Sequence, residues 1–304
     1  MKQENTLKLD NELVARGHMA CPGCGAVLAM RYVLNVLGKK TILVLPACCW
    51  SVITGRHPNC ALDIPIFHTA FETAACVATG VRGALNAKGD TDTNVLAWAG
   101  DGGTFDIGLQ ALSGAAERND DFIFVCYDNE AYMNTGVQRS SATPPGAWTT
   151  TTPSRQPKTG DKKDIMAIVA AHHVPYAATA SVAYPQDLMD KVRKAAAVRG
   201  FRFLHILCPC PTGWRSSPDL TVQLAREAVT SRLFPLYEVE NGFNWRLTLD
   251  PTQTPVADYI KTQGRFAHLD QNAIQPLQTG ADFRWSRLQS IIAASPEAQN
   301  SQSV

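Results

Sequence analysis

The sequence predicts an α/β protein: a mainly parallel sheet flanked by helices, with a C-terminal arm. Three observations predict it. Apolar runs of strand length alternate with helix-length segments through most of the chain. Two of those runs, 94–99 (NVLAWA) and 121–127 (DFIFVCY), stop at oxygen-rich turns, Gly100-Asp101-Gly102 and Asp128-Asn129, one helix-length apart. A chain of 304 residues with 45% hydrophobic content is also long enough to bury one large core plus appendages.

Taken in order, 24–37 has a helical pattern and 41–45 is a strand. Residues 71–86 form an Ala-rich helix, small enough in side chain to pack closely on a sheet. The strand 94–99 follows, then a helix over 106–118 and the strand 121–127. Beyond them come a helix over 163–172, a short strand over 175–180 and a helix over 185–198 that opens on proline. The strand 203–207 completes five β units, joined by crossovers expected to be right-handed. Two regions break the alternation. Residues 131–161 are rich in Thr, Ser, Pro and Gly, and a loop that long inside a compact domain points to function. After Pro235 the pattern loosens, so we read 1–235 as the main domain and 236–304 as a subunit-contact arm ending in a polar, frayed tail, Ala298 to Ser301 included.

Composition narrows the function. Net charge is +1 and the isoelectric point about 7.6, so no basic field argues for nucleic acid or a membrane surface. Met1 to Asp10 is polar and charged rather than signal-like, and the apolar runs are too short to span a bilayer. A cytoplasmic, soluble protein is expected. Nine cysteines in such a chain point to metal binding or burial rather than disulfides. Cys21 and Cys24 form a CxxC beside glycine, while Cys48-Cys49 and Cys208-Pro209-Cys210 follow strands, where loops can reach a shared site. Four thiolates from these groups would suit either zinc or a [4Fe–4S] cluster. Cys76 and Cys126 read as buried small hydrophobes and Cys60 as a loop thiol.

The two turns are the chemical centre. In a parallel sheet both lie at the carboxyl edge, where such folds bind ligands. Asp101 and Asn129 offer hard oxygen ligands for a Mg²⁺ that bridges a diphosphate. Gly100, Gly102 and Gly103 let backbone N–H groups approach phosphate without a Cβ in the way. This GDG-to-Asn spacing resembles the diphosphate motif of thiamine-diphosphate enzymes.

The longer strings are more specific. GHMACPGCG, GDGGTFDIGLQALSGAAER, YDNEAYMNTGVQRSSATPPGAWTTTTP, Lys162-Lys163-Asp164 and CPTGWR resemble, in order, the β subunit of 2-oxoacid:ferredoxin oxidoreductases of the pyruvate synthase type. The resemblance implies oxidative decarboxylation of pyruvate, with electrons passed to a [4Fe–4S] cluster and on to ferredoxin and the acyl group passed to coenzyme A. It implies Cys21, Cys24, Cys49 and Cys210 as cluster ligands, with Cys48 and Cys208 as the alternatives in their pairs. It implies Mg²⁺ on Asp101, Asn129 and the Ala131 carbonyl, and it brings Asn134 and Thr135 close to the thiazolium and substrate. It also implies what is absent. The glutamate that drives the cofactor's tautomerisation belongs to a pyrimidine-binding domain on a separate α chain, and no ferredoxin-type cysteine run is present here. A ferredoxin-like subunit is therefore expected too, in a dimer of hetero-oligomers.

Departures from the pattern bear on substrate. The resemblance sets Gly-Cys-Leu-Glu-Val where this chain has Cys48-Cys49-Trp50-Ser51-Val52, and Glu-Asn where it has Glu72-Thr73. That leaves open another 2-oxoacid, or oxalate oxidised without coenzyme A. From a different class, a non-redox thiamine enzyme or a zinc scaffold subunit also remains. His18 and His68 are candidates to touch cofactor or substrate, Glu72 reads as a helix cap, and His205 as a strand residue.

Overall fold

The computed structural model describes residues 9–296, so the tail expected at Ala298 to Ser301 lies outside the described residues. The chain runs α1 (Gly25–Leu37), β1 (Thr41–Pro46), α2 (Trp50–Ile53), β2 (Ile66–Thr69), α3 (Ala74–Ala87) and β3 (Asn94–Gly100). A π-helical turn, Gly102–Asp106, leads into α4 (Leu109–Glu117) and β4 (Phe122–Asp128). Then come α5 (Ile165–Ala170), β5 (Tyr176–Ser181), α6 (Pro185–Ala197), β6 (Phe201–Leu207), α7 (Pro211–Trp214) and α8 (Thr221–Thr230). The hairpin β7 (Tyr237–Glu240) and β8 (Asn244–Leu247), then α9 (Val256–Ile260) and α10 (Gln271–Ala293), complete it.

The strands form one eight-stranded sheet in the order β2-β1-β3-β4-β6-β5-β7-β8. Every pair from β2 to β5 is parallel, and β7 and β8 are antiparallel additions. Side-chain alternation divides the core. Leu43, Leu45, Leu96, Trp98, Ile123, Val125, Leu204 and Ile206 pack with α1 and α6. Val44, Val95, Ala97, Phe122, Phe124 and Phe203 pack on the other face with α3, α4 and α5. The alanines Ala74, Ala75 and Ala78 of α3 face that layer, and each fully buried Val, Leu or Phe contributes about 1.5–3 kcal/mol.

This topology creates the site. The chain leaves β1 toward β2 on one side and leaves β3 toward β4 on the other, so their carboxyl-end loops diverge and open a crevice. The five predicted β units are all present. Several expectations change. The 71–86 helix begins at Ala74, and Cys76 is exposed because the helix face carrying Ala75, Ala78 and Arg82 takes the core. Glu72 caps nothing: it is exposed, and Thr73 stands at the N-cap without a side-chain cap bond. The 106–118 helix starts later, at Leu109, after the π turn that ends at Asp106. The 163–172 helix contracts to α5 because Asp164 caps it, accepting from Ala167 N–H at 3.0 Å.

The C-terminal segment adds to the sheet, where β7 pairs with β5. Trp285 and Leu288 of α10 join the Phe122–Phe124 core layer. Tyr237 and Val239 are buried with them, whereas Phe243 and Phe283 are exposed.

Candidate active site

Every strand from β1 to β6 points the same way, so the loops after β1, β3, β4 and β6 meet at one edge. Two cavities lie there. The first, about 130 Å³, is lined by Ala47 and Cys48 after β1, Gly100 to Gly103 after β3, and Asn129 and Ala131 to Thr135 after β4. The second, about 220 Å³, is lined by Cys21, Cys24, Cys49, Cys208 and Cys210. Cys49, Tyr127, Asn129, Met133 and Asn134 border both.

Asp101 follows β3 and is almost wholly buried. Its Oδ2 accepts from the Ser140 hydroxyl at 2.5 Å. The end of the Asn129 amide lies 2.9 Å from Asp101 Oδ1 and 2.9 Å from the Ala131 carbonyl oxygen. With its NH₂ toward them it donates to both, and turned over it sets its oxygen beside theirs. Adjacent oxygens of a Mg²⁺ octahedron with metal–oxygen distances near 2.0–2.1 Å stand about 2.9 Å apart. The donor set thus fits a magnesium ion in number, hardness and spacing.

The two buried aspartates are electrostatically unlike. Burial pushes the Asp101 carboxyl well up, and the nearby Asp128 charge adds to it, with Ser140 opposing. Burial also acts to raise Asp128, but Lys162 and His205 outweigh it and hold that carboxyl at about 2. Lys162 Nζ is 3.3 Å and His205 Nε2 2.9 Å from Asp128 Oδ2. Asp128 has its cations inside the chain, whereas Asp101 has none as close.

The turn itself is strained in a defined way. Glu130, between Asn129 and Ala131, holds φ at 69° although it is not glycine. Its N–H donates to Asp128 Oδ1 at 2.9 Å and its carbonyl accepts from the Thr143 hydroxyl at 2.7 Å. Gly102 is required for close approach, because a Cβ there would overlap the Tyr132 ring, whose hydroxyl donates to Asp106 at 2.8 Å. The long Thr- and Ser-rich loop wraps the edge: Ser140 reaches Asp101, Ser141 reaches Asp106, and Lys158 Nζ donates to the Thr143 carbonyl at 2.6 Å. Asn134 and Thr135 are exposed at the mouth of the first cavity.

The cysteine groups come together as spacing suggested. The CxxC turn packs on the β6 loop through Gly25 N–H donating to the Pro209 carbonyl at 3.1 Å. Gly23 sits at φ 71°, and a Cβ there would overlap the Pro218 backbone. Burial pushes the Cys49 thiol up to about 12, with Cys210, Cys48, Cys24 and Cys21 adding to it. Cys210 is pushed to about 11, first by burial and then by Cys24 and Cys21 against the Gly213 N–H. Cys48 lines the first cavity instead, and Cys208 is buried with its N–H on the Asp128 carbonyl at 2.8 Å. Among the described residues no three His, Cys, Asp or Glu side chains close around a single ion.

Sequence reasoning missed the supports behind the turn. Glu130, buried, accepts from Lys162 at 2.6 Å and Arg265 at 2.6 Å, and Trp214 Nε1 donates to the Asn129 carbonyl at 2.8 Å. These partners lie far apart in sequence, and no spacing signals them. His205 does sit on its strand, though its contact with Asp128 was not foreseen. Neither His18 nor His68 lines either cavity.

Residues 47–206 match the family model of thiamine pyrophosphate enzymes, C-terminal TPP binding domain. The ketoisovalerate oxidoreductase subunit VorB of Pyrococcus furiosus is 47% identical over 302 residues, covering 96% of each chain. The pyruvate synthase subunit PorB of Methanothermobacter thermautotrophicus is 51% identical over 277 residues, covering 90% of this chain and 96% of that one. Among solved structures, the 2-oxoglutarate:ferredoxin oxidoreductase of Magnetococcus marinus superposes with a TM-score of 0.61 at 22% identity, over 91% and 97% of the two chains, which shows the shared fold. The chain belongs to the thiamine pyrophosphate enzymes and, within them, to the family of VorB and PorB, the β subunits of 2-oxoacid:ferredoxin oxidoreductases.

Proposed function

We propose that this chain supplies the diphosphate half of a 2-oxoacid:ferredoxin oxidoreductase active site and carries its proximal [4Fe–4S] cluster. The observation that carries the reading is the meeting of Asp101, Asn129 and Ala131, the Asn129 amide 2.9 Å from each of the other two oxygens, beside a carboxyl that burial leaves without a close internal cation. These three groups would hold Mg²⁺, and the backbone of Gly100, Gly102 and Gly103 would take the diphosphate. Thiamine diphosphate, when bound, supplies the carbanion and electron sink for loss of CO₂ from a 2-oxoacid. Asn134 and Thr135 border the mouth, where they would orient substrate and exclude water. Cys21, Cys24, Cys49 and Cys210 would hold the cluster, with Cys49 favoured over Cys48 by the cavity each one lines.

The half-site reading has its own support. Met19 is 68% exposed and Val52 47% exposed beside the cysteine cavity, and Phe67 on β2 is 52% exposed. Apolar surface at a site mouth suits a protein partner. An α subunit bearing the pyrimidine-binding domain would cover it, and a ferredoxin-like subunit would carry electrons onward. Among the described residues no helix is long and apolar enough to cross a membrane.

Pyruvate and a branched 2-oxoacid are the substrates the relatives' names favour. Oxalate, left open by Trp50-Ser51, draws no support from them. The test is a screen of the complex purified with this chain against pyruvate, ketoisovalerate, 2-oxoglutarate and oxalate, each with and without coenzyme A. Coenzyme-A-dependent reduction of a dye or ferredoxin by an aliphatic 2-oxoacid supports the reading; a colourless protein with stoichiometric zinc and no 2-oxoacid oxidation refutes it.

A further inference from the structure

We propose that Arg265 is a positioning residue that joins the magnesium-holding turn to the cysteine loop; the inference rests on the magnesium reading above. Arg265 lies in the short turn after α9, within the segment that the sequence assigned to subunit contact, and it is 2% exposed. Besides donating from Nε to Gln263 Oε1 at 3.0 Å, its guanidinium makes two contacts that lead to Asn129. Nη2 donates to Glu130 Oε2 at 2.6 Å, fixing the residue that follows Asn129. The guanidinium carbon also lies 3.9 Å from the centre of the Trp214 ring, and that indole N–H holds the Asn129 carbonyl at 2.8 Å.

Both contacts have reasons to matter. Glu130 sits at φ 69°, a conformation a non-glycine residue keeps only where its surroundings over-determine it. Lys162 takes the other carboxylate oxygen at 2.6 Å, so Glu130 is held between two cations while its neighbours Asn129 and Ala131 present oxygen to the metal position. Trp214 closes the cysteine loop, its backbone N–H donating to the Cys210 carbonyl at 2.8 Å, and Gly213 N–H faces Cys210 Sγ at 3.5 Å. One buried cation therefore touches the support of the magnesium turn and the support of a cluster cysteine. A planar guanidinium can stack on an indole and bond a carboxylate at once; an ammonium cannot do both.

The test uses the complex purified with this chain, stripped of thiamine diphosphate, and titrates Mg²⁺ at fixed cofactor without substrate. The readout is cofactor uptake by quenching of tryptophan fluorescence. Arg265→Met should raise the half-saturating Mg²⁺ concentration roughly tenfold or more, the usual scale for losing a group that orients metal ligands. Arg265→Lys should recover part of it, and Trp214→Phe, which keeps a ring but deletes the N–H, should also raise it. Where Arg265→Met gives no folded complex, these two variants decide. A lowered melting temperature with an unchanged Mg²⁺ titration in all folded variants overturns the proposal. Asp101→Ala separates the two claims. If it binds cofactor normally, the magnesium reading fails; if it loses binding while the Arg265 variants titrate like the parent, the Arg265 inference alone fails.

Discussion

The Asn129 amide stands 2.9 Å from Asp101 Oδ1, where its NH₂ donates to the carboxylate or, turned over, its oxygen can share a cation with it. On the proposed assignment, Asp101→Ala should abolish Mg²⁺ and thiamine-diphosphate binding while leaving the iron colour, since the residues proposed for the diphosphate and for the cluster differ. Asn129→Ala should weaken binding less, because the Ala131 carbonyl and water can keep part of the shell. Calorimetric titration with cofactor and Mg²⁺ checks both, and full occupancy in Asp101→Ala would refute the assignment.

The cysteines can be sorted one at a time. Cys21→Ser, Cys24→Ser, Cys49→Ser and Cys210→Ser should each lose iron or become oxygen-labile. Cys76→Ser should be silent, because that thiol is exposed on α3. Cys126→Ser should keep iron and lose some stability, because it buries a hydroxyl in the core. Iron content after anaerobic purification is the measurement. Loss in Cys48→Ser with retention in Cys49→Ser would move the ligand to the residue lining the other cavity.

Acid sensitivity should centre on Asp128. Its carboxyl is held at about 2 in the fold by Lys162 and His205 against the effect of burial. The unfolded chain titrates near 4. A depressed acid stabilises the fold fully above the unfolded value, and the contribution fades as pH falls from about 4 through about 2. Asp128→Asn should flatten that part of the profile. Urea midpoints of the metal-free protein across the window check it; an identical acid slope in the variant would contradict the pairing.

How much of this was legible follows from which interactions are local. The strands around Asp101 and Asn129 were readable because buried parallel strands are continuous apolar runs ending in turn residues. β2 was not, since its Phe67 and His68 are exposed and give no apolar signal. The β7–β8 hairpin left a mark that went unread. Asn241-Gly242, at φ 55° and 81°, lies between Tyr237-Glu238-Val239-Glu240 and Asn244-Trp245-Arg246-Leu247, a strong short-range hairpin signal. Candidate ligands could be named from residue chemistry and family resemblance. Their supports were not, because Glu130 meets Arg265 across 135 residues and Asn129 meets Trp214 across 85.

The central claim is that this polypeptide is half of an active site, and the direct measurement is 2-oxoacid oxidation with an artificial acceptor, by the purified chain alone and after adding the α chain. We predict no turnover alone, decarboxylation with the acceptor once the α chain is added, and transfer to ferredoxin only with the ferredoxin-like subunit present. Oxidation by this chain alone at the rate of the assembled complex would contradict the account.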